Sequence, residues 1–291
     1  MVRGFSFYRR FTLLLCALLG LLQLPATAWA AADEPLRIGV FPRRSAQLTT
    51  TMFQPMAELL SQQLKRPVVV EAAPDFPTFW QRLAAHRYDL VHLNQYQYIK
   101  AHAKHGYRVI ARNEEFGRDT LTAAFFVRKD RKMNSLQQLR GKKVIFGGGR
   151  GAMIGYIIPT QMLRQAGLEA GSYQELFAKT PPNAIIATYF NQADAGCAGD
   201  IGLNLVANKI DVEALEILAQ SEPLVLMPWA IKGDLPAELS GRITSILTGL
   251  QHSDAGRKVL KAARLTALRP AQDRDYAPLR QIVAEVLDEH Y

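Results

Sequence analysis

The chain has 291 residues, 48% of them hydrophobic and 21% charged, with a formal net charge of +9. That composition excludes a disordered, highly charged tail, and the length is enough to bury a self-supporting core. Two cysteines, Cys16 and Cys197, exclude a disulfide scaffold. The basic residues are scattered (Arg43-Arg44, Lys65-Arg66, Lys142-Lys143), with no stripe of interleaved aromatics, so a nucleic-acid surface is excluded and small anions are favoured.

Residues 1 to 30 read as a cleaved export signal. Arg3, Arg9 and Arg10 form a basic start, Phe11 to Leu24 an apolar run, and Ala28-Trp29-Ala30 a cleavage site. The run is short of the ~20 residues a membrane span needs. Cys16 follows three leucines, without the small residue expected before a lipid-modified cysteine. Cleavage after Ala30 predicts a periplasmic protein. Its formal charge falls from +9 to +6, because three arginines and no acids leave with the signal. Cys197 is then the one remaining cysteine, and its apolar strand predicts an inert core thiol.

From Pro35 onward, β and α patterns alternate. Strands are expected at Leu36 to Phe41, Pro67 to Glu71, Tyr88 to Leu93 and Arg108 to Ala111. Helices are expected at 46 to 64, at Phe76 to His86, and in a third segment ending near His105 with Gly106 as its stop. Alternation of this kind predicts a parallel sheet flanked by helices. Leu121 to Arg128 breaks the rhythm, which implies a crossing into a second sheet near Glu114 to Thr120. The second unit holds Val144 to Phe146, a helix to Ala166, a strand near Glu175 to Phe177, a helix from Pro181 to Asn191, and a strand at Ala193 to Gly199. Leu215 to Ala219 leads out, Leu224 to Ile231 mirrors the first break, and the tail from Pro236 reads as helices. The expected domains are 1-30 signal peptide, 31-115 first part of lobe 1, 116-221 lobe 2, and 222-291 second part of lobe 1.

The stretch that carries chemistry is Val144 to Pro159. A buried strand runs into Gly147-Gly148-Gly149, and a helix is expected to start near Gly151. Free N–H groups and the helix dipole would converge there on an anion, with Arg150 adding a planar fork. A side chain at Gly149 would be expected to block close approach or to force an unfavourable φ. The bland alternative is a tight turn that binds nothing. A Walker loop is excluded, because no Gly-Lys-Ser/Thr follows. Gly147, Gly149 and Ala152 satisfy G-x-G-x-x-A, which keeps an NAD-dependent enzyme as an alternative.

Elsewhere, His102 and His105 are three residues apart, too few ligands for zinc, and fit the last turn of a helix. Asp200 reads as a helix cap. No spacing of Ser, His, Cys and Asp suggests a nucleophile, so no catalytic residue, metal or cofactor is assigned.

Together these pieces resemble a known family. They are Arg37 to Phe41, Tyr88 to Ala101 (with Asn94-Gln95-Tyr96), the glycine turn with Tyr156 and Pro159, and Asn191 to Ala195. They are similar to the periplasmic binding proteins of phosphonate, phosphite and phosphate ABC transporters, the PhnD-like group. The resemblance implies an α/β fold of the two-lobe type II periplasmic binding class. Each lobe would be a mainly parallel sheet flanked by helices, with two crossing segments. It implies ligand contacts from Arg43, Arg44 and Ser45; from Asn94, Gln95 and Tyr96; from Gly148, Gly149, Arg150, Gly151 and Ala152; and from Asn183. The family's turn usually carries Ser/Thr hydroxyls, which backbone N–H groups and Arg150 would replace here. The acid of the family's later His-Glu pair falls near Asn183, which is neutral. The implied function is capture of a small oxyanion by a monomer that docks on a membrane permease. A sensor kinase or cyclase is the alternative partner.

Overall fold

The computed structural model describes residues 34–291. The expected export signal and its cleavage site lie outside the described residues. The first elements are β1 (Leu36–Val40), α1 (Ala46–Leu64), β2 (Val68–Val70), α2 (Phe76–Ala84), β3 (Leu90–His92), α3 (Gln95–His105) and β4 (Arg108–Glu114). Next come β5 (Thr120–Leu121), β6 (Ala123–Arg128), β7 (Lys143–Gly147), α4 (Ile158–Gln165), β8 (Gln174–Ala178), α5 (Pro181–Tyr189), β9 (Ala195–Gly199), α6 (Gly202–Val206) and β10 (Leu215–Gln220). The chain ends with β11 (Leu224–Val225), β12 (Pro228–Ile231), α7 (Ala237–Gly249), α8 (Asp254–Ala263), β13 (Ala267–Pro270) and α9 (Ala277–Leu287). Among the described residues, no helix is long and apolar enough to cross a membrane.

Two sheets organise these elements. The six-stranded sheet runs β13-β4-β12-β3-β1-β2 and the five-stranded sheet β10-β6-β9-β7-β8. Both are mixed. β1 is parallel to β2 and β3, and β7 to β8 and β9, whereas β12, β13, β6 and β10 pair antiparallel with their neighbours. The six-stranded sheet is mixed because β12 inserts antiparallel between β3 and β4. The tail is not all helix: β13 closes the sheet edge against β4. Each parallel centre lifts its strand ends, with the loops that follow, to one edge, where open α/β sheets bind ligands.

Local sequence explains the framing helices. Ser45 caps α1 by accepting from the Leu48 N–H at 3.3 Å, and Met52, Phe53, Met56, Leu59 and Leu60 are buried along one face. Asn94 and Gln97 form a capping box at the start of α3, and Gly106, at φ +67°, closes it. His102 lies in that last turn, with Nδ1 at 2.8 Å from the Tyr107 carbonyl. One buried cluster joins residues of both sheets, including Tyr98 and Tyr276 with Phe125, Phe146 and Ile157. Helix α9 touches α3 on one side and α4 on the other, and Gln161 Nε2 donates to Glu285 Oε2 at 2.8 Å.

The crossings form a short ribbon in which β5 pairs antiparallel with β11, Leu121 opposite Leu224. Ion pairs pin it. Arg112 Nη2 lies 2.7 Å from Asp119 Oδ2, and Arg118 Nη2 lies 2.7 Å from Asp200 Oδ2. Asp200, just past β9, therefore ties the five-stranded sheet to the crossing; the residue at the cap of α6 is Ile201. The Arg112 hydrogen bond holds the Asp119 carboxyl below its ordinary value of 3.8. A depressed carboxylate stabilises the fold above its unfolded value and stops doing so as pH falls through its folded value. Asp119→Asn should therefore be less stable than wild type above pH ~4, by at most about 1 kcal/mol because solvent screens this partly exposed pair. Urea melts across pH should show that gap closing in acid; a gap independent of pH would remove the ion pair from the account.

Candidate functional site

The glycine turn sits at the end of β7. Gly148 has φ +119°, and a Cβ there would lie 2.9 Å from the Ala152 Cβ. Gly149 has no left-handed φ, and a Cβ on it would meet nothing within 4 Å. The residue whose φ requires glycine is thus Gly148, which corrects the φ part of the expectation for Gly149. The helix starts two residues later than expected, with a π-helical turn over Met153–Ile157 ahead of α4. Tyr156 and Ile157 both donate to the Ala152 carbonyl, at 2.8 and 3.0 Å, which widens the first turn. Gly155 lets that turn rest on the strand end, since a Cβ there would lie 2.0 Å from the Gly147 carbonyl oxygen.

The turn leaves donors exposed. Gly148 N–H donates to Ala178 O at 2.9 Å and Ala152 N–H to Gly149 O at 2.8 Å. Among the described residues, the N–H groups of Gly149, Arg150 and Gly151 meet no protein acceptor. Arg150 itself turns elsewhere. Its Nη2 lies 2.7 Å from Glu175 Oε2, its Nη1 donates to the Tyr156 hydroxyl, and the guanidinium covers the Tyr156 and Phe177 rings. Its fork is engaged by a carboxylate, though the side chain is 64% exposed, and the backbone donors of the turn stand free of it.

Across from the turn lies the start of α3. Asn94 Oδ1 accepts the Gln97 N–H at 2.7 Å, and its Nδ2 donates to the Gly151 carbonyl at 3.0 Å. The Tyr96 ring packs on Gly151, where a Cβ would lie 3.1 Å from Cε1. Its hydroxyl donates to Glu289 Oε2 at 2.9 Å, and burial followed by that carboxylate pushes the phenol pKa upward. Gln95 is buried, and its Nε2 reaches Val225 O, 2.8 Å away in the crossing ribbon.

Arg43 and Arg44 occupy the loop after β1. Arg43 is exposed, with Nη1 3.4 Å from Met227 Sδ and the guanidinium 5.2 Å above the Phe41 ring. Desolvation lowers its pKa, and Glu115 partly opposes this. Arg44 is lowered to about 10, first by burial and then by Arg43 and Arg264. These are cations short of countercharge, the condition under which an oxyanion binds well. Ser45 gives its oxygen to the α1 cap and keeps its O–H as a donor. His92, not singled out in the sequence, lies beneath them. It is 1% exposed, stacks on Trp229 at 4.7 Å, and has no hydrogen-bond partner at either ring nitrogen. Burial, then Arg43 and Arg44, drives its pKa well down.

The second expected helix start in lobe 2 offers less. Pro181 and Pro182 lack N–H groups, and the N–H groups of Asn183 and Ala184 both donate to Thr180 O, at 3.0 and 3.3 Å. Asn183 is left with its exposed side chain alone. Cys197 is fully buried between Phe125 and Phe146, and burial raises its pKa well above the ordinary value. Among the described residues, no group of three His, Cys, Asp or Glu is placed to hold a metal.

The structure brings three pieces into one chain of contacts. Residues 225 and 227 touch Gln95 and Arg43, and the adjacent Asn94 and Tyr96 touch Gly151. Solved structures share the fold. PhnD1 from Prochlorococcus marinus MIT 9301, in complex with methylphosphonate, is 19% identical, with a TM-score of 0.75 over 87% of this chain and 98% of that one. A Xanthomonas citri protein bound to ATP is 18% identical, with a TM-score of 0.75 over 87% and 97%. A binding-protein component of a phosphonate ABC transporter from Pseudomonas aeruginosa is 16% identical, with a TM-score of 0.72 over 88% and 87%. Residues 38–276 match the family described as ABC transporter, phosphonate, periplasmic substrate-binding protein, and the chain belongs to that family.

Proposed function

We propose that this protein captures a small oxyanion of the phosphonate, phosphite or phosphate type between two lobes and hands it to the permease of an ABC transporter. Lobe 1 (31–115 with 222–291) contributes Arg43, Arg44 and the Ser45 hydroxyl. Lobe 2 (116–221) contributes the N–H groups of Gly149, Arg150 and Gly151. The ligand's differential contacts with the two lobes select the closed state. Export would place it in the periplasm, where the family works.

The observation that carries this reading is the contact chain from Arg43 through Met227, Val225 and Gln95 to Asn94 and Gly151. It sets the arginine pair Arg43-Arg44 and unused backbone donors at the ends of one connected set of loops. Methylphosphonate, seen in the Prochlorococcus protein, is the first ligand to try. A thermal-shift screen over methylphosphonate, phosphite, phosphate, sulfate, arsenite and ATP should give one clear hit among the phosphorus oxyanions. Ligand at 100 times its Kd adds about 2.7 kcal/mol, several degrees in melting temperature. No shift with any of them would defeat the reading.

A further inference from the structure

A cavity of about 270 Å³ opens beside the oxyanion loops, lined by Phe76, Pro77, Trp80, Tyr96, Gln97 and Lys100. Two of these residues join it to the site. Tyr96 packs on Gly151 of the donor turn, and Phe76 lies 6.4 Å, ring to ring, from Phe41, over which the Arg43 guanidinium sits at 5.2 Å. Phe76 is 44% exposed, so its ring face is open to the cavity. The Lys100 ammonium sits 5.2 Å above Trp80 and 5.8 Å above Tyr96, so the rim carries a cation and the walls are aromatic.

We infer that this cavity receives the carbon substituent of the captured oxyanion, and that the protein prefers phosphonates bearing an aromatic or bulky apolar group over inorganic phosphate and methylphosphonate. The inference rests on the oxyanion reading above and names its substrate class. An apolar cavity of roughly 150 Å³ already accommodates benzene, so a phenyl group fits this one. Aromatic walls favour offset or edge contacts with such a ring. Tyr96 and Phe76 set this cavity beside the oxyanion loops, within reach of a substituent on an oxyanion bound there.

Calorimetry with methylphosphonate, phenylphosphonate and phosphate on wild type, Trp80→Ala and Phe76→Ala tests this. Phenylphosphonate should bind wild type at least about tenfold tighter than methylphosphonate, and both variants should lose that preference while keeping wild-type affinity for methylphosphonate. Phe76 is exposed, so its variant stays informative if Trp80→Ala fails to fold. Equal affinity for the two phosphonates in wild type overturns the inference and leaves oxyanion capture standing. A preference that survives in Phe76→Ala and in a folded Trp80→Ala also overturns it. No binding of any of the three defeats both readings.

Discussion

Replacing Arg44 by methionine should raise the melting temperature of the ligand-free protein and weaken oxyanion binding by roughly ten- to a hundredfold. The two effects have one cause. Arg44 is half-buried near Arg43 and Arg264, and its pKa falls from 12.5 to about 10. At neutral pH it is charged both folded and unfolded, so a lowered folded value means that the charge opposes folding. That penalty is present at all pH values below about 10 and is relieved as pH rises through it. A bound oxyanion supplies the missing countercharge through charge-assisted hydrogen bonds of about 1.5–3 kcal/mol each, which corresponds to the predicted loss of affinity. Melting curves and calorimetry on Arg44→Met, with Arg44→Lys for comparison, read both quantities. Lysine should recover part of the affinity, because an ammonium keeps the charge but not the fork. A variant that is less stable and binds normally would make Arg44 a structural residue.

The largest loss of stability should come from Gly155→Val, at about 3 kcal/mol or more. A Cβ at 155 lies 2.0 Å from the carbonyl oxygen of Gly147, and that oxygen belongs to the end of a buried central strand. Backbone held on both sides cannot step aside as a flexible side chain can, so the π-helical turn must lift off β7. Gly149→Ala is the contrast. It has open space and an ordinary φ, so its stability should stay within ~0.5 kcal/mol of wild type. Chemical denaturation of the pair decides the matter: similar stabilities would mean that the turn does not rest on the strand as described.

Much of the frame was legible in the residues. The span of α1 from Ala46 to Leu64 followed from its apolar spacing, and the Gly106 stop of α3 from helix-end chemistry. The crossing segments followed from breaks in the β/α rhythm. Strand direction was not legible, since apolar pattern is the same whichever way a strand runs, and β12 entered the first sheet antiparallel. β13 was missed because it is four residues long and ends in Pro270, which only a sheet edge tolerates. At the site, composition located the glycine turn but not which glycine bears the strain, because φ belongs to the folded chain. The ion pair of Arg150 with Glu175, 25 residues away, is a tertiary contact that the local sequence around Arg150 does not show. The weakness of the α5 start was written in Pro181-Pro182, two consecutive residues without N–H groups, and could have been read in advance. His92 gave no signal, since a histidine in an apolar strand says nothing of the Trp229 ring that covers it.

The most direct measurement is a set of amide and guanidinium NMR spectra of ¹⁵N-labelled protein titrated with the phosphonate that binds best. If the oxyanion bridges the lobes, the amides of Gly149, Arg150 and Gly151 should move downfield together with the side-chain signals of Arg43 and Arg44, and all should saturate at one ligand per chain. Shifts confined to one of these two groups, or to neither, would contradict capture between the lobes.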